Sequence, residues 1–342
     1  MSDSSDLRRP RRTWRISGSV LVGALLLTGC GKQSTVSPRS PQTHQIALLW
    51  WWMLGAAAIV FFGAVALLAI AWFKRGSAGL PIFGQREDVS QGLVLVFGIA
   101  IPVVVLIPLF AVANLYVIGG TEAPSPSSTP VTIDVIAHQW WWEVRYPGST
   151  AVTANEIHIP VNTRVNLVTT TADVIHSFWV PQLARKIDTV PGHQNRILLE
   201  ASRAGVYRGQ CAEFCGFQHA HMSLLVMAQP AAAYRAWLAN MASVARAPAS
   251  GPARTGAQVF MNSQCASCHQ IRGTSAHAFV GPDLTHLATR TTLAAVEIPN
   301  DPAYLARWIS HPQGIKPGTR MPDLGLSGAQ TTALVSYLDS LQ

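Results

Sequence analysis

The chain has 342 residues, more than one domain usually takes, so two folded units with additional segments are expected. Apolar residues make up 49% and charged ones only 12%, which excludes a disordered chain, and the apolar residues gather in long runs that call for a membrane. The net charge of +8 does not indicate nucleic-acid binding: Arg8, Arg9, Arg11, Arg12 and Arg15 crowd the start against Asp3 and Asp6, and without residues 1–29 the balance is 20 basic to 15 acidic, or +5, with no basic run carrying interleaved aromatics.

Residues 1–29 read as a signal sequence, with a basic start, an apolar stretch and then Leu27-Thr28-Gly29-Cys30. The tetrapeptide is similar to a bacterial lipoprotein signal and would make Cys30 a lipidated first residue; the alternative is an ordinary signal with an incidental cysteine. An outer N-terminal segment, 30–45, follows. Residues 46–73 carry no charge, and about 20 such residues cross a bilayer core of ~30 Å, so they are expected to form a transmembrane helix with Trp50, Trp51 and Trp52 at its interface. A second uncharged span, 89–118, includes Pro102 and Pro108. Lys74, Arg75 and Arg86 in the loop 74–88 place that loop in the cytoplasm, and the N-terminus and everything after 119 on the outer, periplasmic side of a bacterial inner membrane. Neither span holds an acidic or basic side chain, so this chain alone should not conduct protons.

Residues 119–130 are a linker rich in Gly, Pro and Ser. Strand-like runs at 131–137, 156–159, 164–171, 196–200 and 223–228, separated by turn residues, predict an antiparallel all-β sandwich or barrel over 131–230. Residues 231–253 read as a helix followed by a hinge at Ala247-Pro248-Ala249-Ser250-Gly251-Pro252. Residues 254–342 read as an all-α unit with long loops and a final helix over 330–341. The expected fold is thus a multidomain membrane protein: a two-helix hairpin, an all-β unit and an all-α unit.

Five cysteines leave one over in any disulfide framework, and each has another use, so no structural disulfide is expected. Between Cys211 and Met222 the chain packs Cys211, Cys215, His219, His221 and Met222, two thiols, two imidazoles and a thioether. Such a set binds metal: thiolates with a thioether are soft donors that favour copper, whereas Cys211, Cys215, His219 and His176 without the methionine would suit zinc. His221 is expected to have no role. Cys265-Ala266-Ser267-Cys268-His269 is the attachment pattern of a c-type haem, with His269 as one axial ligand; a redox pair or half a zinc site is the alternative, and no second cysteine pair follows. Met321, the only methionine after His269, is the expected sixth ligand, with His277, His286 and His311 as surface alternatives.

The run Cys211-x-Glu213-x-Cys215-x-x-x-His219-x-x-Met222, with His176 upstream, resembles the copper loop of cytochrome c oxidase subunit II, and the last unit resembles class I cytochromes c. The resemblance implies a binuclear CuA centre on a cupredoxin-like Greek-key barrel. Cys211 and Cys215 would bridge two copper ions, His176 and Met222 would complete one, and His219 with the Glu213 carbonyl the other. It implies that Trp140, in His138-Gln139-Trp140-Trp141-Trp142, admits electrons; three adjacent tryptophans can instead be alternating core and surface positions. Trp141 departs from the family, which has tyrosine there. Glu213 and Asp188 would lie near a magnesium ion shared with subunit I. The implied partners are subunit I, with haem a and CuB, subunit III, and a reductant such as a cytochrome or the cytochrome bc1 complex. The implied activity is oxygen reduction to water with proton pumping in subunit I. Other classes considered are the electron-entry subunit of a nitric or nitrous oxide reductase and a membrane-anchored electron shuttle; a quinol oxidase subunit would lack the copper ligands.

Overall fold

The computed structural model describes residues 33–74, 87–122 and 126–342. The expected signal sequence 1–29, Cys30 and most of the expected loop 74–88 lie outside the described residues, as do 123–125 of the expected linker.

Helix α1 runs Pro41–Lys74, starting five residues before the expected span. Its start is set by Ser40, whose Oγ accepts the Thr43 N–H at 3.1 Å, with Pro41 as the first helical residue, where a missing N–H costs nothing. The same hydroxyls are buried against the β unit: Ser40 Oγ donates to Leu183 O at 2.7 Å and Thr43 Oγ1 to Gln182 O at 2.8 Å. Polar residues that look like a loop are therefore helical because tertiary partners satisfy them. The second span comprises α2 (Glu87–Leu95) and α3 (Ile101–Val112), joined by a π-helical turn, Val96–Ala100, and extended by another, Ala113–Ile118. The first of these wider turns ends two residues before Pro102, which has no N–H to give to the helical ladder. Both helices are long and apolar enough to cross a membrane, and along their apolar stretches the side chains are exposed, Ile59 by 77%, Phe73 by 84% and Leu115 by 73%. A core helix would bury them.

The β unit holds two five-stranded sheets. One has the order β3 (Val152–Ala154), β2 (Trp141–Arg145), β1 (Val131–His138), β5 (Val165–Thr171), β8 (Asn195–Leu199). The other has β4 (Glu156–Pro160), β10 (Ser223–Gln229), β9 (Gly205–Cys211), β6 (His176–Trp179), β7 (Ile187–Thr189). In β1 the alternation expected from sequence turns Ile133, Val135 and Ala137 inward to meet Trp142, Phe178, Ile157 and Ile197. The expectation of a purely antiparallel unit is corrected, because β1 runs parallel to β5 and β10 parallel to β4. These crossover pairings join strands distant in sequence, which local patterning cannot reveal.

The expected hinge at 247–252 is flanked closely by ordered structure. Helix α4 (Ala231–Ala242) packs on the β unit, with Trp237 stacked on His158 at 3.9 Å between ring centroids. Its last turn and the residues just after it are held by Arg272, which donates to Met241 O at 2.6 Å and whose own carbonyl accepts from Ala245 N at 2.9 Å. Helix α5 (Gly251–Asn262) already begins inside the predicted hinge.

The C-terminal unit continues with α6 (Cys265–Cys268), the short ribbon β11 (Thr292–Leu293) and β12 (Ile298–Pro299), α7 (Pro302–Ser310), α8 (Pro312–Ile315) and α9 (Gly328–Asp339). The small ribbon is the one departure from an all-α unit. A capping box between Ser327 and Gln330 starts α9 two residues before the expected helix. Helices α5 and α9 cross closely: a Cβ on Gly256 would stand 2.0 Å from Ala333 O, so only glycine fits, and Phe260 meets Tyr337 edge to face alongside.

Candidate metal centre and haem cavity

The hairpin strands β9 and β10 pair directly, and Cys211 N donates to Met222 O at 2.9 Å, closing the loop between them at its base. Strand β6 pairs with β9, with Phe178 opposite Cys211, and so brings His176 alongside the loop. One end of the second sheet thereby gathers all six expected donors. The Cys211 and Cys215 sulfurs are 3.7 Å apart; His176 Nδ1 is 3.8 Å from Cys211 Sγ, and His219 Nδ1 is 3.7 Å from Cys215 Sγ. Met222 Sδ is 3.9 Å from Cys215 Sγ, and the Glu213 carbonyl oxygen is 3.2 Å from Cys211 Sγ. Two donors each ~2.3 Å from one metal at a near-tetrahedral angle stand ~3.7 Å apart, so these spacings suit donors that share metal ions. His176 is fully buried, and Cys211, Cys215 and Met222 are nearly so.

Without a metal the two sulfurs share one negative charge between them. Contact with the Cys215 thiol, aided by His176 and opposed by burial, pulls Cys211 down to about 3. The Cys211 thiolate in turn pushes Cys215 well above the ordinary thiol range. A second thiolate so close to the first forms readily only with positive charge between them, which a metal supplies. Burial opposes charging His176, but its contacts with Cys211 and Asp173 outweigh that and raise it. His176 Nε2 lies 2.9 Å from Asp173 Oδ1, which turns Nδ1 toward the sulfurs. Sequence reasoning missed Asp173, since nothing local distinguishes this carboxylate from a turn residue.

Asp188 and Glu213 are both about half exposed, and Lys186 Nζ stands between them, 3.7 Å from Asp188 and 3.9 Å from Glu213.

The three tryptophans split by role. Trp142 is core, edge-on to Phe178 at 5.8 Å. Trp141 stacks on His138 at 4.3 Å. Trp140 donates its indole N–H to Cys215 O at 2.9 Å, beside Gln139 Nε2, which donates to the same oxygen at 2.8 Å. Gly216 lets the indole approach: its φ is +110°, and a Cβ there would meet the Trp140 ring at 3.0 Å.

In the C-terminal unit, Cys268, His269 and Met321 line one cavity. Apolar side chains from Leu284, Leu293, Leu305, Trp308, Ile309 and Leu338 form much of its wall, as a flat hydrophobic prosthetic group requires. His269 Nδ1 lies 2.8 Å from Pro282 O, which leaves Nε2 free to ligate, and burial lowers its pKa, keeping the ring neutral. Gly281 must be glycine, for a Cβ there would come within 2.5 Å of the His269 ring. Cys265 is partly buried beside Ser263, whose hydroxyl lies 3.1 Å from its sulfur. Of the alternative ligands, His286 is buried rather than a surface residue, and both its ring nitrogens face carbonyls, of Gln342 at 2.8 Å and Ser243 at 3.0 Å. His277 is exposed, as is His311, which lies 3.7 Å from Asp323.

Trp140, Trp141 and Asp173 line the same cavity from the β-unit side. Lys316, buried among Trp140 O, His221 O and Ala294 O, closes this junction; burial brings its ammonium down to about 8, although Glu297 and Cys215 hold it up. His221, expected to have no role, reaches Glu297 at 3.1 Å across the same junction.

Comparison with known proteins matches two families. Residues 149–229 match the cytochrome c oxidase subunit II periplasmic domain and residues 253–342 match cytochrome c. The cytochrome c oxidase subunit 2 of Alkalihalophilus pseudofirmus is 32% identical over 331 residues, covering 93% of this chain and 94% of that one. That of Bacillus subtilis is 30% identical over 356 residues, covering 96% and 98%. Among solved structures, the periplasmic domain of cytochrome oxidase subunit II of Bradyrhizobium japonicum is similar at 29% identity with a TM-score of 0.33, over 35% of this chain and 96% of that one. Similarity to these relatives over more than nine-tenths of the chain, together with the two family matches, shows that the chain belongs to the cytochrome c oxidase subunit 2 family.

Proposed function

We propose that this chain is the electron-entry subunit of a proton-pumping terminal oxidase of the bacterial inner membrane, with both extramembrane units on the outer face. A donor such as a cytochrome or the cytochrome bc1 complex reduces a c-type haem held in the C-terminal unit, and electrons then pass to a binuclear copper centre in the β unit. From there they reach haem a of subunit I, which reduces oxygen at a site with CuB, with subunit III completing the complex.

The observation that carries the order of transfer is the continuity of the two centres: the cavity lined by Cys268, His269 and Met321 extends to Trp140, whose indole N–H is bonded to the carbonyl of Cys215. In this reading His176, Cys211, Cys215, His219, Met222 and the Glu213 carbonyl hold the copper ions. Cys265 and Cys268 attach the haem, and His269 and Met321 ligate it. When bound, the copper pair and the haem supply one-electron redox chemistry that calls for little rearrangement. The residues around them hold positions. Asp173 aims His176, Pro282 O fixes the His269 tautomer, and Gln313 Nε2 steadies the loop of Met321 through Thr319 O at 2.8 Å. The absence of acidic or basic side chains from residues 46–73 and 89–118 assigns proton movement to the partner subunit. Lipidation of Cys30 would add an anchor to the two helices.

Stopped-flow reduction of the intact oxidase by a reduced soluble cytochrome tests the path. The haem band should change first, copper absorbance second and haem a last; copper reduced ahead of the haem would reverse it.

A further inference from the structure

At the junction between the C-terminal unit and the β unit, close to Trp140, lies a buried charged side chain that the electron path leaves unused. Lys316 is 4% exposed, and its Nζ stands 3.0 Å from Trp140 O, 2.8 Å from His221 O and 3.3 Å from Ala294 O. An ammonium has three N–H groups, and here each is matched to a carbonyl of a different segment. The first segment carries Trp140. The second is the loop holding His219 and Met222. The third is a turn in which Ala294, Ala295 and Val296 all have positive φ, at 53°, 59° and 72°, a conformation that non-glycine residues disfavour.

No carboxylate forms an ion pair with Lys316 among the described residues, and the nearby Glu297 is shared with His221. A charge buried this way is costly unless it is hydrogen-bonded, and here the three carbonyls supply those bonds. The residues that follow continue the contact. Pro317 O accepts from Gln218 Nε2, and Arg320 donates to Gln139 Oε1 with its guanidinium 5.9 Å from the centre of the Trp140 ring. Met321 comes next, so residues 316–321 lead from the copper-loop carbonyls to the haem cavity.

We propose that Lys316 is a positioning residue for electron transfer: its ammonium locks the Trp140 segment and the His219–Met222 loop onto the C-terminal unit, so that the chain's own haem domain permanently occupies the face of Trp140. A soluble donor then has no access to Trp140 and must deliver to the C-terminal unit. The inference rests on the function proposed above.

The test uses the intact oxidase with Lys316→Met, which keeps an apolar stem, and Lys316→Gln, which keeps an uncharged donor. A photo-excited ruthenium complex reduces the haem, and haem reoxidation is followed optically. Hydrogen exchange at residues 139–142 and 218–221 is measured separately in the oxidised protein. The expected result is an unchanged haem spectrum and potential, haem reoxidation slowed about tenfold in Lys316→Met and less in Lys316→Gln, as loss of a charged hydrogen bond predicts, and faster exchange in both segments. Normal transfer in the wild type with unchanged rates in the variants overturns the proposal alone. Absence of haem-to-copper transfer in the wild type overturns the function and the proposal together. Loss of haem or copper absorption in both variants makes Lys316 a folding residue and overturns the positioning role.

Discussion

Asp173 accepts from the His176 ring at 2.9 Å and from the backbone N–H of Gln139 at 2.7 Å, so one carboxylate steadies both a candidate metal donor and the segment carrying Trp140. Removing such an outer partner typically weakens metal affinity by about 10- to 100-fold. Asp173→Ala should therefore raise the copper dissociation constant by at least the lower figure in a chelator competition; unchanged affinity would mean that the carboxylate only shapes the turn. His158 acts on stability. Buried beneath Trp237, it is held down to about 4 by burial, despite Gln229 at 3.1 Å favouring the charged form. Because its folded pKa lies below the unfolded value near 6.5, the unfolded chain takes up the proton first. The stability of the neutral, stacked ring is full above pH 6.5 and falls as pH drops toward 4, by about 3 kcal/mol. Thermal unfolding of the β unit should thus lose stability across that window, and His158→Phe should flatten the loss. An equally steep loss in the variant would assign acid sensitivity elsewhere.

At the scale of elements, close helix crossing holds the C-terminal unit together. Gly256→Ala places a methyl where Ala333 O now sits, and overpacking of this kind costs about 1–3 kcal/mol. The unfolding midpoint of that unit should drop accordingly, while a variant as stable as the parent would mean that α5 and α9 can separate freely. The elements also show what sequence could reveal. Strand β1 was legible because only one of its faces is buried, giving alternation. Strands β2 and β6 were not: Trp142, Glu143 and Val144 are buried in succession, as are His176, Ser177 and Phe178, since neighbouring segments cover both faces. The donors themselves were legible because cysteine, histidine and methionine at short spacing carry their chemistry locally. Asp173, Glu156 and Lys316 were not, because an acid or a lysine gains its meaning only from partners brought by the fold.

For the whole molecule, the β unit and the C-terminal unit are docked rather than loosely tethered. Glu156 of β4, 1% exposed, accepts hydrogen bonds from the backbone N–H and hydroxyl of both Thr291 and Thr292, all between 2.7 and 3.1 Å. Arg290 reaches back to Thr153 Oγ1 at 3.3 Å. Net charge offers little steering, with seven acidic and seven basic side chains in 131–230 and five against six in 252–342. Transfer from haem to copper within the chain should be nearly independent of ionic strength in flash-photolysis kinetics. A steep dependence would mean that the units separate and meet again by charge attraction.

All of this presumes that the sulfurs of Cys211, Cys215 and Met222 and the nitrogens of His176 and His219 hold a pair of copper ions. Electron paramagnetic resonance of the purified, oxidised protein, with metal analysis of the same sample, tests that most directly. Two copper ions per chain and a mixed-valence signal, one unpaired electron shared by two copper nuclei, are the predicted result. Zinc alone, or a signal from a single isolated copper, would contradict it.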